Sequence, residues 1–190
     1  MKTLVLLALL GAGDFTRLAD DDGLVLEGRP VPGSAFAELR VTTITQGDVA
    51  TLCARAFGTG EFDPAEPHLV ARTVLSEGAN ERVTLEEVQA PAISPRDSVV
   101  RRTRTFLPGG VCRVEFRADP GAGPPPKSGV VRIEVLRGSF TFTPLGGGRV
   151  KVEHRVHTDP GGVLAPFIVE PARREAAVAS VRRLLKPKGT

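Results

Sequence analysis

The last third of the chain, from Arg149 to Lys186, limits the possible folds more than any other stretch. It opens with R-V-K-V-E-H-R-V-H, in which Val150, Val152, His154 and Val156 fall on one face. Lys151, Glu153, Arg155 and His157 fall on the other, the period-two pattern of a half-buried strand. D-P-G-G at 159–162 then stops the strand, because Pro160 lacks an N–H and two glycines open backbone angles that other residues avoid. The chain continues as one long helix ending near Leu184, Leu185 and Lys186. A strand, a tight turn and a long terminal helix lay a helix across the open side of a curved antiparallel sheet. Room between helix and sheet is where a guest would sit.

The rest of the chain supplies such a sheet. Strands are expected at 24–27 and 35–44, with a turn at Pro30, Pro32 and Gly33, then at 69–76, 81–89, 98–106, 111–118, 130–136 and 139–144. Residues 14–23 read as a short entry helix or turn, 60–68 as a loop and 90–97 as an extended passage. A helix is expected from Gln46 to about Ala56, with Thr45 as N-cap, Asp48 in the first turn, and Val49, Leu52, Cys53 and Ala56 on one face. Short connections make the sheet antiparallel and the class α+β.

At 190 residues the chain suffices for one domain with a sizeable core. With no Trp or Tyr, nine Phe and many Val and Leu must fill it. A formal charge of +3, and no basic run interleaved with aromatics, argue against a nucleic-acid partner. M-K-T-L-V-L-L-A-L-L-G-A-G has the layout of a signal peptide over residues 1–13, too short to span a bilayer. It places the domain at 14–188 and the protein in the periplasm or outside the cell. The alternative is an N-terminal helix packed on a cytoplasmic domain. Cys53 and Cys112 are expected as two separate buried thiols, with pairing across a long loop as the alternative in an oxidising compartment.

P-R-D-S-V-V at 95–100, V-V-R-I-E-V at 130–135, P-L-G-G-G-R-V at 144–150 and D-P-G-G-V-L-A-P-F at 159–167 occur in an order and spacing that resembles the StAR-related lipid-transfer (START) family of the helix-grip superfamily. The resemblance spans roughly Asp14 to Lys186. It implies a helix-grip fold, a curved antiparallel sheet wrapped around a long C-terminal helix, and a hydrophobic or lipid-like ligand between them. It also implies that 118–129 covers a tunnel entrance beside that helix, stiffened by Pro124, Pro125 and Pro126. Arg102, six places after the motif arginine, would meet the ligand's polar end. The family's acidic partner would fall near Val83, so Arg102 is left with Glu81, Glu87, a ligand head group or solvent. Arg96 and Asp97 are expected as a turn with a local ion pair. Pro171 departs from the family and should kink the helix near its start.

The candidate ligand-binding residues are Arg102, Phe140, Phe142, Val152, His154, Phe167, Ile168, Ala172 and Val178. Along the terminal helix Phe167, Pro171, Arg174, Val178, Val181 and Leu185 form one stripe, and Ile168, Ala172, Ala176 and Ala179 a second of mostly small residues. Core packing is the plain alternative for both. His154 is the one candidate general acid or base. No HExxH, CxxC or G-x-S-x-G pattern occurs, so no metal, cofactor or nucleophile is expected. Arg173, Arg174, Arg182, Arg183, Lys186 and Lys188 gather late in the helix, where they complement its dipole or touch anionic lipid transiently. The primary expectation is a monomeric, non-enzymatic carrier or sensor of a hydrophobic small molecule or lipid. The alternatives are a polyketide cyclase or aromatase and an interaction module whose interior is filled.

Overall fold

The computed structural model describes residues 13–58, 68–89 and 93–186. The leader up to residue 12 and most of the 60–68 loop lie outside the described residues. Ten strands form one sheet: β1 (Thr16–Asp21), β2 (Leu24–Arg29), β3 (Glu38–Gln46), β4 (Leu69–Glu77), β5 (Glu81–Val88), β6 (Arg96–Leu107), β7 (Val111–Ala118), β8 (Val131–Arg132), β9 (Val135–Gly146) and β10 (Arg149–Asp159). Their order is β1-β2-β3-β10-β9-β7-β6-β5-β4, all antiparallel, and β8 adds a short parallel pairing to the start of β6. Helix α1 (Val49–Gly58) follows β3, and helix α2 (Pro166–Leu185) ends the described chain.

Within residues 14–23, expected as a short entry helix or turn, Thr16–Asp21 form an edge strand and a turn follows at Asp22–Gly23. Asp22 and Gly23 both take positive φ, 52° and 75°, which is the primed two-residue turn whose twist matches a hairpin. The strand's residues are all exposed, so no apolar alternation marks it. The cap of α1 also differs from expectation. Thr45 is still in β3, paired with Val150, and Asp48 starts the helix by accepting the Thr51 N–H at 2.8 Å.

Cross-strand register defines the inner face. One row runs Leu26, Val41, His154, Phe140, Val114 and Arg104. The next runs Gly28, Leu39, Val156, Gly138, Phe116, Arg102 and Arg82. Gly138 is needed there, because a Cβ would stand 2.4 Å from the Phe116 ring and 2.2 Å from the Arg155 carbonyl oxygen. Both helices pack on this face. Leu52, Cys53, Ala56 and Phe57 of α1 join Ala177, Val181 and Leu184 of α2 in one core with Leu39, Val41, Val114, Phe142, Val150 and Val152. Arg55 of α1 donates to the carbonyls of Leu184 and Lys186 at 3.3 and 3.2 Å, satisfying the open C-terminal end of α2.

Cys53 and Cys112 are paired, correcting the expectation of separate thiols. The bond joins α1 to β7 across 59 residues with Cα atoms 6.1 Å apart, and both residues are wholly buried. The apolar face of α1 lies against the sheet face that carries Cys112, which brings the two sulfurs together.

Arg96 and Asp97 do not pair with each other. The Arg96 guanidinium donates to the carbonyls of Ser94, Pro160 and Gly161, fixing the turn between β10 and α2. Asp97 takes a bidentate pair from Arg132 at 2.6 and 2.9 Å. Pro171 sits within a single unbroken α2. Pro171 and the preceding turn at Phe167 are both solvent-exposed, so the carbonyl left without its N–H partner faces water.

Candidate functional site

The inner face carries two neighbouring chemistries. The first is aromatic. His154 stacks on Phe140 at 4.1 Å between ring centroids and 10° between planes, and Phe116 lies 5.9 Å from it. His154 Nδ1 stands 3.3 Å from the Ser139 carbonyl oxygen. A carbonyl only accepts, so Nδ1 carries the proton and Nε2 keeps its lone pair. Burial holds the imidazole's pKa down to about 4, opposed only by that hydrogen bond. The ring is therefore neutral at pH 7 and a weak base.

This has a consequence for stability. A histidine whose folded pKa lies below its unfolded value of about 6.5 contributes stability above pH 6.5 and loses it as pH falls toward 4. The expected loss over that window is about 3 kcal/mol. In NMR titrations the His154 ring protons should move near pH 4, and a midpoint near 6.5 would contradict the burial argument.

The second chemistry is ionic. Glu86 on β5 accepts from Arg102 at 2.6 Å and from Arg72 on β4 at 3.0 Å, and Arg102 also donates to the Thr84 hydroxyl at 2.8 Å. The side chains of Arg72, Glu86 and Arg102 are only 4, 15 and 12% exposed. Burial pushes the Glu86 carboxyl up, but Arg102 and Arg72 outweigh it and hold the pKa below the usual carboxylate value. Arg102 thus meets neither Glu81 nor Glu87. Glu81 is held by Arg101, and Glu87 by Lys127 at 2.9 Å. Both lie on the other face of β5. Arg82, Thr84 and Glu86 share one face of β5, and no spacing along the chain names Glu86 as the partner of Arg102. Among these inner-face strands the Ser98 hydroxyl and Arg82 Nε are buried without a hydrogen-bond partner.

The predicted residues separate. Arg102, Phe140, His154, Phe142 and Val152 share the inner face, but Phe142 and Val152 are wholly buried in packed core. On α2 the face turned to the sheet is Ala177, Val181 and Leu184. Phe167 and Ile168 are 79 and 59% exposed, and Ala172 is exposed too, so none of the three packs against the sheet. Val178 is half-buried beside the core.

The 119–130 connection lies on the outer face. Asp119 pairs with Arg101 at 2.5 Å, Gly123 rests against Val99 and Leu75, Lys127 reaches Glu87, and Arg132 binds Asp97 while donating to the Pro124 carbonyl at 3.0 Å. Arg101, Val99 and Asp97 alternate out of phase with Arg102, so Pro124, Pro125 and Pro126 are across the sheet from α2, not beside it. The expected entrance loop is corrected on that ground.

Two adjoining hollows run along the flank of α2 that faces the β1–β2 hairpin. One, about 400 Å³, is lined by Leu18, Arg29, Phe36, Glu170 and Arg174 among others. The second, about 370 Å³, is lined by Leu18, Leu24, Leu26, Arg174, Val178 and Arg182 among others. Glu170, Arg174, Val178 and Arg182 recur every fourth residue, so one stripe of α2 forms the wall. Val178 is the one predicted ligand-binding residue that lines either hollow. Among the described residues there is no metal-binding cluster, and no helix is long and apolar enough to cross a membrane.

Comparison with known proteins agrees with this architecture. The chain is 28% identical over 159 residues to an uncharacterized protein of Pseudomonas aeruginosa, covering 83% of this chain and 78% of that one. A STAR-related lipid transfer protein fragment from Xanthomonas axonopodis superposes with a TM-score of 0.80 at 23% identity, covering 90% of this chain and 96% of the other. Human StAR-related lipid transfer protein 5 gives 0.74 at 19% identity, covering 90% and 86%. The sequence profile of the START domain matches residues 68–187, from the first residue described after α1 to just beyond the end of α2. With that match over most of its length, on a ten-stranded sheet gripping a C-terminal helix, the chain belongs to the START domain family.

Proposed function

We propose that the protein holds one hydrophobic small molecule or lipid between its sheet and α2, as a carrier or sensor rather than an enzyme. The pair of hollows along α2 carries this reading, since each has the size of a small-molecule site. Solved relatives named for lipid transfer share the fold. Leu18, Leu24, Leu26, Phe36 and Val178 supply apolar wall. The driving force is burial of hydrocarbon, about 0.8 kcal/mol per CH₂. Titration with straight-chain alcohols of increasing length tests this. Affinity is expected to rise about fourfold per added CH₂ until the hollows are filled. A response independent of chain length would overturn it. Because His154 is neutral and engaged in stacking, a His154→Phe variant is expected to keep its ligand, whereas an acid–base enzyme would lose turnover.

Two further expectations belong to this reading. Exposed Val163, Phe167 and Ile168 cluster where α2 begins, and a transient membrane contact would use them. Phe167→Asp should reduce co-sedimentation with anionic vesicles while changing stability by less than about 0.5 kcal/mol. Unchanged sedimentation would remove this surface from consideration. An exported, oxidising setting is supported by the buried Cys53–Cys112 bond.

A further inference from the structure

We infer that the ligand held along α2 is a single-chain amphiphile with an anionic head, and that Arg174 receives the head. This rests on the proposal that the α2 flank is the binding site. Among the described residues the two hollows share only Leu18 and Arg174, so the guanidinium stands where they join. The other cations of the lining are already engaged. Arg29 donates to Glu38 at 2.8 Å, and Arg182 pairs with Asp21. The nearest acid one turn away, Glu170, is taken by Arg173 at 2.5 Å, and Arg173 also donates to the Ala37 carbonyl. Among the described residues no carboxylate pairs with Arg174. Beyond Arg174 the apolar part of the wall is Leu18, Leu24 and Leu26 on the hairpin and Val178 and Ala179 on the helix, with Asp21, Glu175 and Arg182 as its charged residues. A cation with five donors beside an apolar trough fits a carboxylate or phosphate head followed by a hydrocarbon chain. This site is on the opposite flank of the core from the Arg102–Glu86 cluster, whose arginine is spent on an internal carboxylate.

The test compares dodecanoate with dodecanol, each below its aggregation threshold, by calorimetry on the full chain, its Arg174→Met variant and its Arg174→Lys variant. Wild type should prefer dodecanoate by about three- to tenfold, and the preference should shrink with added salt. Arg174→Met should abolish the preference by weakening dodecanoate more than dodecanol, and Arg174→Lys should restore part of it. Equal binding of the two amphiphiles, with no effect of Arg174→Met, would overturn the anionic assignment while leaving the hydrophobic site standing. Binding of neither would overturn the site itself, and the assignment with it. Because Arg174 is exposed, loss of folding is not expected to confuse the result.

Discussion

Replacing Glu86 with leucine is expected to destabilise the protein by about 3–5 kcal/mol, measured by denaturant unfolding. The substitution leaves two guanidiniums, Arg72 and Arg102, in a setting where each is nearly nine-tenths buried or more, with their shared carboxylate gone. Most of the loss is the desolvation cost of those charges, not the value of the ion pairs themselves. The pH dependence has a definite sign. A carboxyl whose folded pKa is depressed contributes stability above its unfolded value, about 4.5, and loses it as pH falls through the folded value. Wild type should therefore lose stability more steeply below about pH 4.5 than Glu86→Gln, which cannot titrate there. His154 acts in the window above this one, between about pH 6.5 and 4, so the two contributions separate on the pH axis. Parallel curves for wild type and Glu86→Gln would show that the cluster is not coupled to folding.

Reduction of the Cys53–Cys112 bond is expected to cost about 4 kcal/mol, from the closure entropy of a loop of 59 residues. The double variant Cys53→Ala, Cys112→Ala should show a loss of the same order with additional cost from two small voids. The bond fastens α1 to β7, and α1 in turn holds the end of α2 through Arg55. Reduction should thus also raise hydrogen exchange in the last turns of α2. Stability unchanged by reductant, with the free thiols confirmed by alkylation, would contradict this account.

How much of this could be read from residues follows the strength of the local pattern. β10 was legible because Val150, Val152 and His154 alternate cleanly and one of its faces meets the core. β1 was not, since none of its six residues is buried and only the Asp22–Gly23 turn marks the hairpin. The terminal helix was legible in extent and only partly in orientation. Of the stripe read from the sequence, Val178, Val181 and Leu185 meet the core, whereas Phe167 at its start is exposed, as is Ile168 of the second stripe. Ala177 and Leu184 complete the buried face. Glu86 escaped because its partners come from two other strands, a relation set by sheet register and not by spacing along the chain. The disulfide needed three-dimensional proximity, which two cysteines far apart in sequence do not reveal. The position of Pro124–Pro126 depended on which face of β6 Arg101 and Asp97 occupy, and that parity emerges only once Arg102 is seen to face the core.

The proposed function requires an apolar guest between the sheet and α2. Native mass spectrometry of the protein as purified, followed by solvent extraction and identification of whatever is released, addresses it directly. An adduct of one small organic molecule per chain is expected, displaced when a bulky side chain is introduced at Ala179 in the wall of the α2 hollow. A bare polypeptide mass that stays bare after incubation with lipid mixtures would contradict it.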